Sequence, residues 1–340
     1  MEKTMGVLAR FFYRWENWLS RRDTNKRTRP FEWGLEFLEK NPANADPRQC
    51  LIEYAQCVLA NSDEYHSYKA VEDYRLEGNH LKYSSPLPTI YPKNNTVHAR
   101  FFPVASEGRV VLVLPQWNAD VRSHISLCRM LNYFDISALR LSLPYHDFRM
   151  PEELVRADYM LSANLGRTLQ AIRQAVVDCR AAIDWLASMG YTKFGILGTS
   201  IGSCVGLITL AHECRLTLGV QNHVSPYVAD VVWFGISTRQ VRKGLEGHIS
   251  LEDLRQIWMP ISPQAYFKKM VGAGKNSLLV HALYDYSFLP HLSRQVLQEY
   301  KELGLTHSVL ALPCGHYTSG EFPFNIKLGY GMCSYISKNL

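Results

Sequence analysis

Gly198, Ser200 and Gly202 stand in the run Phe194-Gly195-Ile196-Leu197-Gly198-Thr199-Ser200-Ile201-Gly202-Ser203-Cys204, which contains a G-x-S-x-G pentapeptide. An apolar strand pattern precedes the serine, and a run of small and apolar residues (SIGSCVGLITLAHE) follows it with helical character. A serine on a sharp strand-to-helix turn stands clear of a sheet and can attack a carbonyl carbon. Such a turn strains the backbone at the serine and leaves no room for side chains two residues to either side. That is a physical reason for glycine at both places. The pentapeptide alone also fits an ordinary β–α turn whose glycines serve packing. The flanking patterns favour the nucleophile.

A serine hydroxyl is a poor nucleophile at neutral pH. It needs a base, and an imidazole titrating near neutrality is suited to the task. The imidazole in turn needs a carboxylate to fix its tautomer and stabilise its charged form. Ser277–Pro290 (SLLVHALYDYSFLP) reads as a strand followed by a loop carrying Asp285. Ser308–Gly320 (SVLALPCGHYTSG) reads as a later strand followed by Gly315-His316. Taken singly, Asp285 is an ordinary loop acid and His316 an ordinary structural histidine. Their joint occurrence, in the order Ser, Asp, His and each just past an apolar strand, points to a triad. Asp230 is the main rival for the acid and Asp147 a lesser one.

From residue 96 to 320, two-thirds of the chain, these motifs resemble the α/β-hydrolase superfamily. The resemblance implies an α/β fold: a mostly parallel eight-stranded sheet with helices on both faces and the triad at the C-terminal edge of its strands. It makes Ser200 the nucleophile, His316 the base and Asp285 the acid. It also implies an oxyanion hole of two backbone N–H groups, one from Ile201 and one from the loop after the strand ending at Leu114. Many members carry His-Gly-aromatic in that loop, whereas this chain has Pro115-Gln116-Trp117-Asn118. By position Trp117 is the expected second donor, with Gln116 next and the Asn118 side chain able to assist. Tyr145 or His146 could line the pocket. The chemistry requires no cofactor, and the twelve histidines form no H-E-x-x-H pair that would suggest a metal site. The expected activity is carboxylic-ester hydrolysis through an acyl-enzyme. A thioesterase, an amidase or an acyltransferase would use the same three residues. A non-catalytic binding member of the fold is the alternative of another class, against which the complete set of three argues.

The elements that must position these groups alternate along the chain. Strands are predicted at Thr96–Pro103, Arg109–Leu114, Ile136–Leu143, Phe194–Leu197, from Leu218, at Ser277–Ala282 and at Ser308–Leu312. A long helix spans Leu165 to Leu186, with helical patterns between the later strands. This pattern predicts a mostly parallel sheet covered on both faces. Residues 239–275 read as a helical, cap-like insertion over the C-terminal strand edge, where ligands bind in such sheets. The chain therefore divides into an N-terminal helical extension, 1–95, packed on a hydrolase domain, 96–340.

Within the extension, residues 5–20 (MGVLARFFYRWENWLS) have apolar residues at helical spacing. Packing on the main domain is the simpler expectation. The arginines among the aromatics also suit peripheral contact with a membrane surface. Residues 21–29 read as a polar linker and 31 to about 75 as helical. Asn94-Asn95-Thr96 matches a glycosylation acceptor only by chance.

Of the 340 residues, 47% are hydrophobic and 20% charged, which is ordinary for a globular chain with a sizeable core. The net charge of +6 is mild and no basic run marks a nucleic-acid surface, so the expected partner is a small or lipid-like ester. Eight cysteines without a C-x-x-C pair argue against a zinc knuckle and for a reducing, cytoplasmic setting. No leader pattern and no bilayer-spanning apolar run is apparent.

Overall fold

A computed structural model describes residues 6–39, 46–105 and 108–340. Among them nine strands form one sheet: β1 (Arg75–Glu77), β2 (His80–Ser84), β3 (Thr96–Phe102), β4 (Arg109–Leu114), β5 (Ser137–Leu141), β6 (Lys193–Thr199), β7 (Leu216–Asn222), β8 (Asn276–Ala282) and β9 (Thr306–Leu312). Their order is β1-β2-β3-β5-β4-β6-β7-β8-β9. The six strands from β5 to β9 pair in parallel, and β1, β2 and β3 add on antiparallel. The sheet thus has one strand more than the eight expected. The β1–β2 hairpin escaped the sequence reading because its strands are short, β1 is the exposed edge, and β2 buries only Leu81 and Tyr83, so no continuous apolar run is required.

The helices are α1 (Val7–Arg22), α2 (Pro47–Ala60), α3 (Ser62–Tyr65), α4 (Ile125–Tyr133), α5 (Leu165–Ser188), α6 (Ile201–His212), α7 (Val228–Phe234), α8 (Arg239–Leu245), α9 (Leu251–Ile257), α10 (Pro290–Glu302) and α11 (Phe324–Asn339). They cover both faces of the sheet. In β4 the residues alternate between the two resulting cores: Val110, Leu112 and Leu114 pack with α5 and α6, while Val111 and Val113 pack with α4 and α11. Burial on both faces explains the uninterrupted apolar run.

Residues 1–95 are less helical than their pattern suggests. The described part holds α1, α2 and the single turn α3, but Ser67–Tyr74 is irregular and the hairpin enters the sheet. The segment 239–275 holds α8, α9 and short 3-10 turns, and none of its residues lines the pocket described below. Its large apolar side chains, Trp258, Tyr266 and Phe267, are buried in the core on the α5–α6 face. Burying them there satisfies the segment without a place over the site.

Helix α5 begins at Asn164, whose Oδ1 accepts the Arg167 N–H at 2.9 Å and caps the helix. Deep in it, Asp178 pairs with Arg149 at 2.8 Å, both side chains fully buried. The Arg149 guanidinium also donates to the carbonyls of Asn94 and Ser142. Asn94 is itself buried, which excludes it as a glycosylation acceptor in the folded chain. The pair therefore ties the loop after β5 to the longest helix. Removing one partner strands a buried charge. Asp178→Ala is expected to cost about 3–5 kcal/mol, read from the urea midpoint. Replacing both partners with Arg149→Met and Asp178→Leu should recover most of that loss.

Candidate active site

The register of the sheet brings the chemistry-bearing loops to one edge. Leu114 pairs with Gly198, Thr199 with Asn222, and Ala282 with Leu312. The loops after β4, β6, β7, β8 and β9 therefore emerge side by side. Ser200 sits on the turn between β6 and α6 with φ 58° and ψ −119°. This conformation is costly for a residue with a Cβ, and the surroundings must hold it. The Ser200 N–H is anchored on the Asn222 carbonyl at 2.9 Å. A Cβ on Gly198 would lie 2.0 Å from the Gly202 oxygen, and one on Gly202 would lie 2.6 Å from the carbonyl oxygens of Leu114 and Pro115. Both glycines are thus fixed by crowding at the turn, as the sequence reading requires.

Asp285 follows β8 and is buried. Its Oδ1 accepts the N–H groups of Ser287 and Phe288, each at 2.7 Å. Its Oδ2 lies 3.1 Å from Nδ1 of His316, which follows β9. A proton on Nδ1 leaves Nε2 as the basic nitrogen of that ring. The His316 ring stacks on Phe288, with centroids 5.3 Å apart and planes at 3°. Ser200 and His316 line the same pocket. No hydrogen bond joins them in this conformation, a common looseness in ligand-free sites.

A second imidazole, not recognised in the sequence, shares the same carboxylate oxygen. His223, directly after β7, places Nδ1 2.9 Å from Asp285 Oδ2. The two rings lie 4.2 Å apart between centroids. His223 Nε2 lies 3.2 Å from Ser319 Oγ, which donates to the His316 carbonyl at 2.7 Å. Its backbone also has positive φ, 64°. The available signal was a histidine at the end of the strand beside the nucleophile strand. Nothing in its local sequence separates it from a core histidine.

The electrostatics distinguish the two rings. Burial opposes ionisation of Asp285, but the two imidazoles, by charge and by hydrogen bond, outweigh it and hold the carboxyl well below its usual range. Burial also opposes the imidazolium of His316. The adjacent Asp285 carboxylate and the Glu16 carboxylate outweigh that, and its pKa is raised. For His223 burial dominates, the neighbouring His316 charge adds to it, and the pKa is lowered. Asp285 therefore holds one ring that protonates readily and one that stays neutral.

Glu16 reaches this site from α1 and was likewise not foreseen. Its two oxygens accept the N–H groups of Tyr317 at 3.0 Å and Thr318 at 2.7 Å. Burial raises its pKa against those two donors. A Cβ on Gly315 would lie 2.4 Å from the Glu16 carboxyl carbon. The glycine before His316 thus serves the approach of this buried acid.

The first-turn N–H of Ile201 has no partner within its helix. In the loop after β4, the Trp117 indole N–H donates to the Ala157 carbonyl at 2.8 Å, and the Asn118 N–H donates to His146 Nε2 at 2.8 Å. The Trp117 backbone N–H has no protein partner among the described residues, so both expected donors remain available. Gln116 and Asn118 also line the pocket. Asn118 Oδ1 is engaged by the Ala157 N–H. Tyr145 and His146, suggested as pocket residues, do not line it: both are fully buried. His146 instead supports the loop from behind, with Nδ1 2.8 Å from the Pro144 carbonyl. The rival acids are engaged elsewhere, Asp230 with Arg255 at 2.7 Å and Asp147 with Arg140 at 2.5 Å.

The ligand atoms of His223, Asp285 and His316 lie within 4.8 Å of one another, which is close enough to consider a metal ion. Both Nδ1 atoms sit at hydrogen-bond distance from one oxygen, and that geometry is the one expected of two proton-bearing nitrogens on a shared acceptor. The pocket in front of them has a volume of about 750 Å³. One wall comes from α4 and α11 (Leu127, Met130, Leu328, Met332), another from α7 (Val228, Val231). A serine that lines the pocket, an imidazole held by a carboxylate and two free N–H donors beside apolar walls can carry out acyl transfer.

No protein-family profile and no curated protein sequence matches the chain. Solved structures do. An acylaminoacyl peptidase of Pyrococcus horikoshii superposes with a TM-score of 0.61 at 14% identity, covering 82% of this chain and 43% of the peptidase chain. The chain thus spans less than half the length of that protein. An acetyl xylan esterase from Paenibacillus sp. R4 gives 0.57 at 15% identity, covering 90% of this chain and 98% of the esterase. Acetyl xylan esterase 1 from Thermoanaerobacterium sp. JW/SL YS485 gives 0.59 at 12% identity, covering 89% and 97%. With its strand order and its turn after β6, the chain has the fold of the α/β-hydrolase superfamily.

Proposed function

We propose that this protein is a serine hydrolase that cleaves carboxylic esters with apolar acyl groups. The reading rests above all on one observation: the His316–Asp285 pair lies at the pocket that Ser200 lines from a strained turn. In this reaction Ser200 Oγ attacks the ester carbonyl carbon as its proton passes to His316 Nε2. The N–H groups of Ile201 and Trp117 stabilise the oxyanion. Collapse of the intermediate breaks the bond to the alcohol, which takes the proton from His316. Water then attacks the acyl-enzyme, giving its proton to the same ring, and the free acid leaves with Ser200 restored.

A fluorophosphonate probe is expected to label Ser200 and no other serine, as mapped by peptide mass spectrometry. Ser200→Ala should abolish labelling, and Asp285→Asn should lower kcat by about 10⁴-fold on a p-nitrophenyl ester. Robust labelling at another residue refutes the assignment. An ester, thioester and anilide series separates esterase from thioesterase and amidase activity.

The pocket walls favour an aliphatic acyl chain. Gly329 lines the pocket, and a Cβ there would lie 3.2 Å from the end of Met130. Rising p-nitrophenyl acyl length should raise kcat/KM, by about fourfold for each added methylene that finds space. Gly329→Leu should lower the ratio of octanoate to acetate activity.

The raised pKa of His316 fixes the sign of the pH dependence. The base must be neutral, so kcat/KM falls as pH drops through that raised value, above the ordinary histidine range near 6.5. Glu16→Gln removes a negative charge that stabilises the imidazolium. It should move the acid limb to lower pH, and an unmoved limb would separate Glu16 from the base.

A further inference from the structure

Helix α1 turns one side inward. Phe12 stacks on Tyr284 with ring centroids 4.7 Å apart, Leu19 is buried, and Glu16 holds the loop of His316. The other side is left to solvent: Val7, Leu8, Phe11 and Trp18 are 76%, 63%, 55% and 54% exposed. Val7, Phe11, Arg14 and Trp18 follow steps of four, three and four residues and so share one stripe. Arg10, Arg21 and Arg22 flank it, and the Arg22 guanidinium lies 3.8 Å over the Trp18 ring. Glu16 is the one acid in the helix and it is buried, so the solvent side of α1 carries only positive charge.

The patch continues at the start of α11. Arg22 lies 3.6 Å from Glu321, and the Phe12 and Phe324 ring centroids are 6.2 Å apart, which sets exposed Phe322 and Ile326 beside α1. Ile326 and Asp23, the residue that ends α1, both line the pocket. Scattered apolar residues on a surface need no explanation, but large ones gathered on one helix and its neighbour do.

We propose that this face docks on the surface of an anionic lipid bilayer, with α1 lying in the plane of the interface. The apolar and aromatic side chains enter the boundary between headgroups and acyl chains, and the arginines meet lipid phosphates. Charge selects this occupant. A second copy of the chain, meeting this patch across a two-fold axis, would set arginines against arginines. A neutral bilayer offers these cations no net negative charge. Docking in this pose sets the pocket mouth at the bilayer. Delivery of membrane-resident acyl esters to Ser200 follows from it, and that clause alone rests on the hydrolase reading.

Co-sedimentation of the full chain with vesicles tests the docking. With vesicles of three parts phosphatidylcholine to one part phosphatidylglycerol the protein is expected to pellet, and with pure phosphatidylcholine to remain largely in solution. Phe11→Glu combined with Trp18→Glu, and separately Arg10→Glu combined with Arg21→Glu, should each weaken binding at least about tenfold. Near-ultraviolet circular dichroism checks that each pair retains its fold. Absence of wild-type binding overturns the proposal. So does equal binding by the wild type and the folded variants, or a wild-type dimer in sedimentation velocity that both variants abolish. Fluorophosphonate labelling of Ser200 without vesicles reads the active site separately. Its failure would remove the hydrolase reading and leave the docking result standing.

Discussion

A single buried carboxylate organises this protein. Asp285 keeps its charge in a place where burial alone would neutralise it, because the His316 charge and hydrogen bonds from both imidazoles outweigh that burial; two backbone N–H groups complete the four donors on its oxygens. Each donor fixes something else in return. The two backbone N–H groups shape the turn that begins at Asp285, and the two imidazoles lock the ends of β7 and β9 to it. A charged acceptor with every lone pair engaged imposes direction, which packing alone does not. The orientation of His316 follows from that network, and so does the chemistry open to it.

The same network explains why two histidines can share one acid. Were both rings charged, 4.2 Å apart, their repulsion would add to the cost of burial. The field at the site assigns the charge unequally. His316 has the carboxylate of Glu16 on its far side, and His223 has no such second acid among the causes of its shift. The outer helix therefore contributes to the proton affinity of a ring that it does not itself hydrogen-bond.

Much of this was legible in the residues. The G-x-S-x-G turn, Asp285 and His316 each follow an apolar strand, and parallel pairing carries strand ends to one edge whatever the side chains between them. Crowding at Gly198 and Gly202 is a local property, so the pattern was a sound guide there. What escaped was set by tertiary contact. His223 and Glu16 carry no motif, and their roles exist only because the sheet and α1 bring them to Asp285 and His316. The packing of the segment 239–275 was hidden for a related reason. Its polar content suggested a surface lid, but Trp258, Tyr266 and Phe267 draw it into the core. The β1–β2 hairpin is too short to announce itself.

The bond between Glu16 and the backbone of Tyr317 spans 301 positions of the chain. Residue 16 leaves the ribosome long before residue 317 is made. The apolar side of α1 has no docking surface of its own until β8, β9 and the start of α11 have folded. Contacts of such separation form late, since the loop they close spans 301 positions. During synthesis this arrangement leaves α1 to wait, solvated or held by a chaperone, for its binding site to appear. The His316 loop is then completed only after Tyr317 and Thr318 have been made, and a nascent or truncated product that stops short of them cannot assemble the intact site.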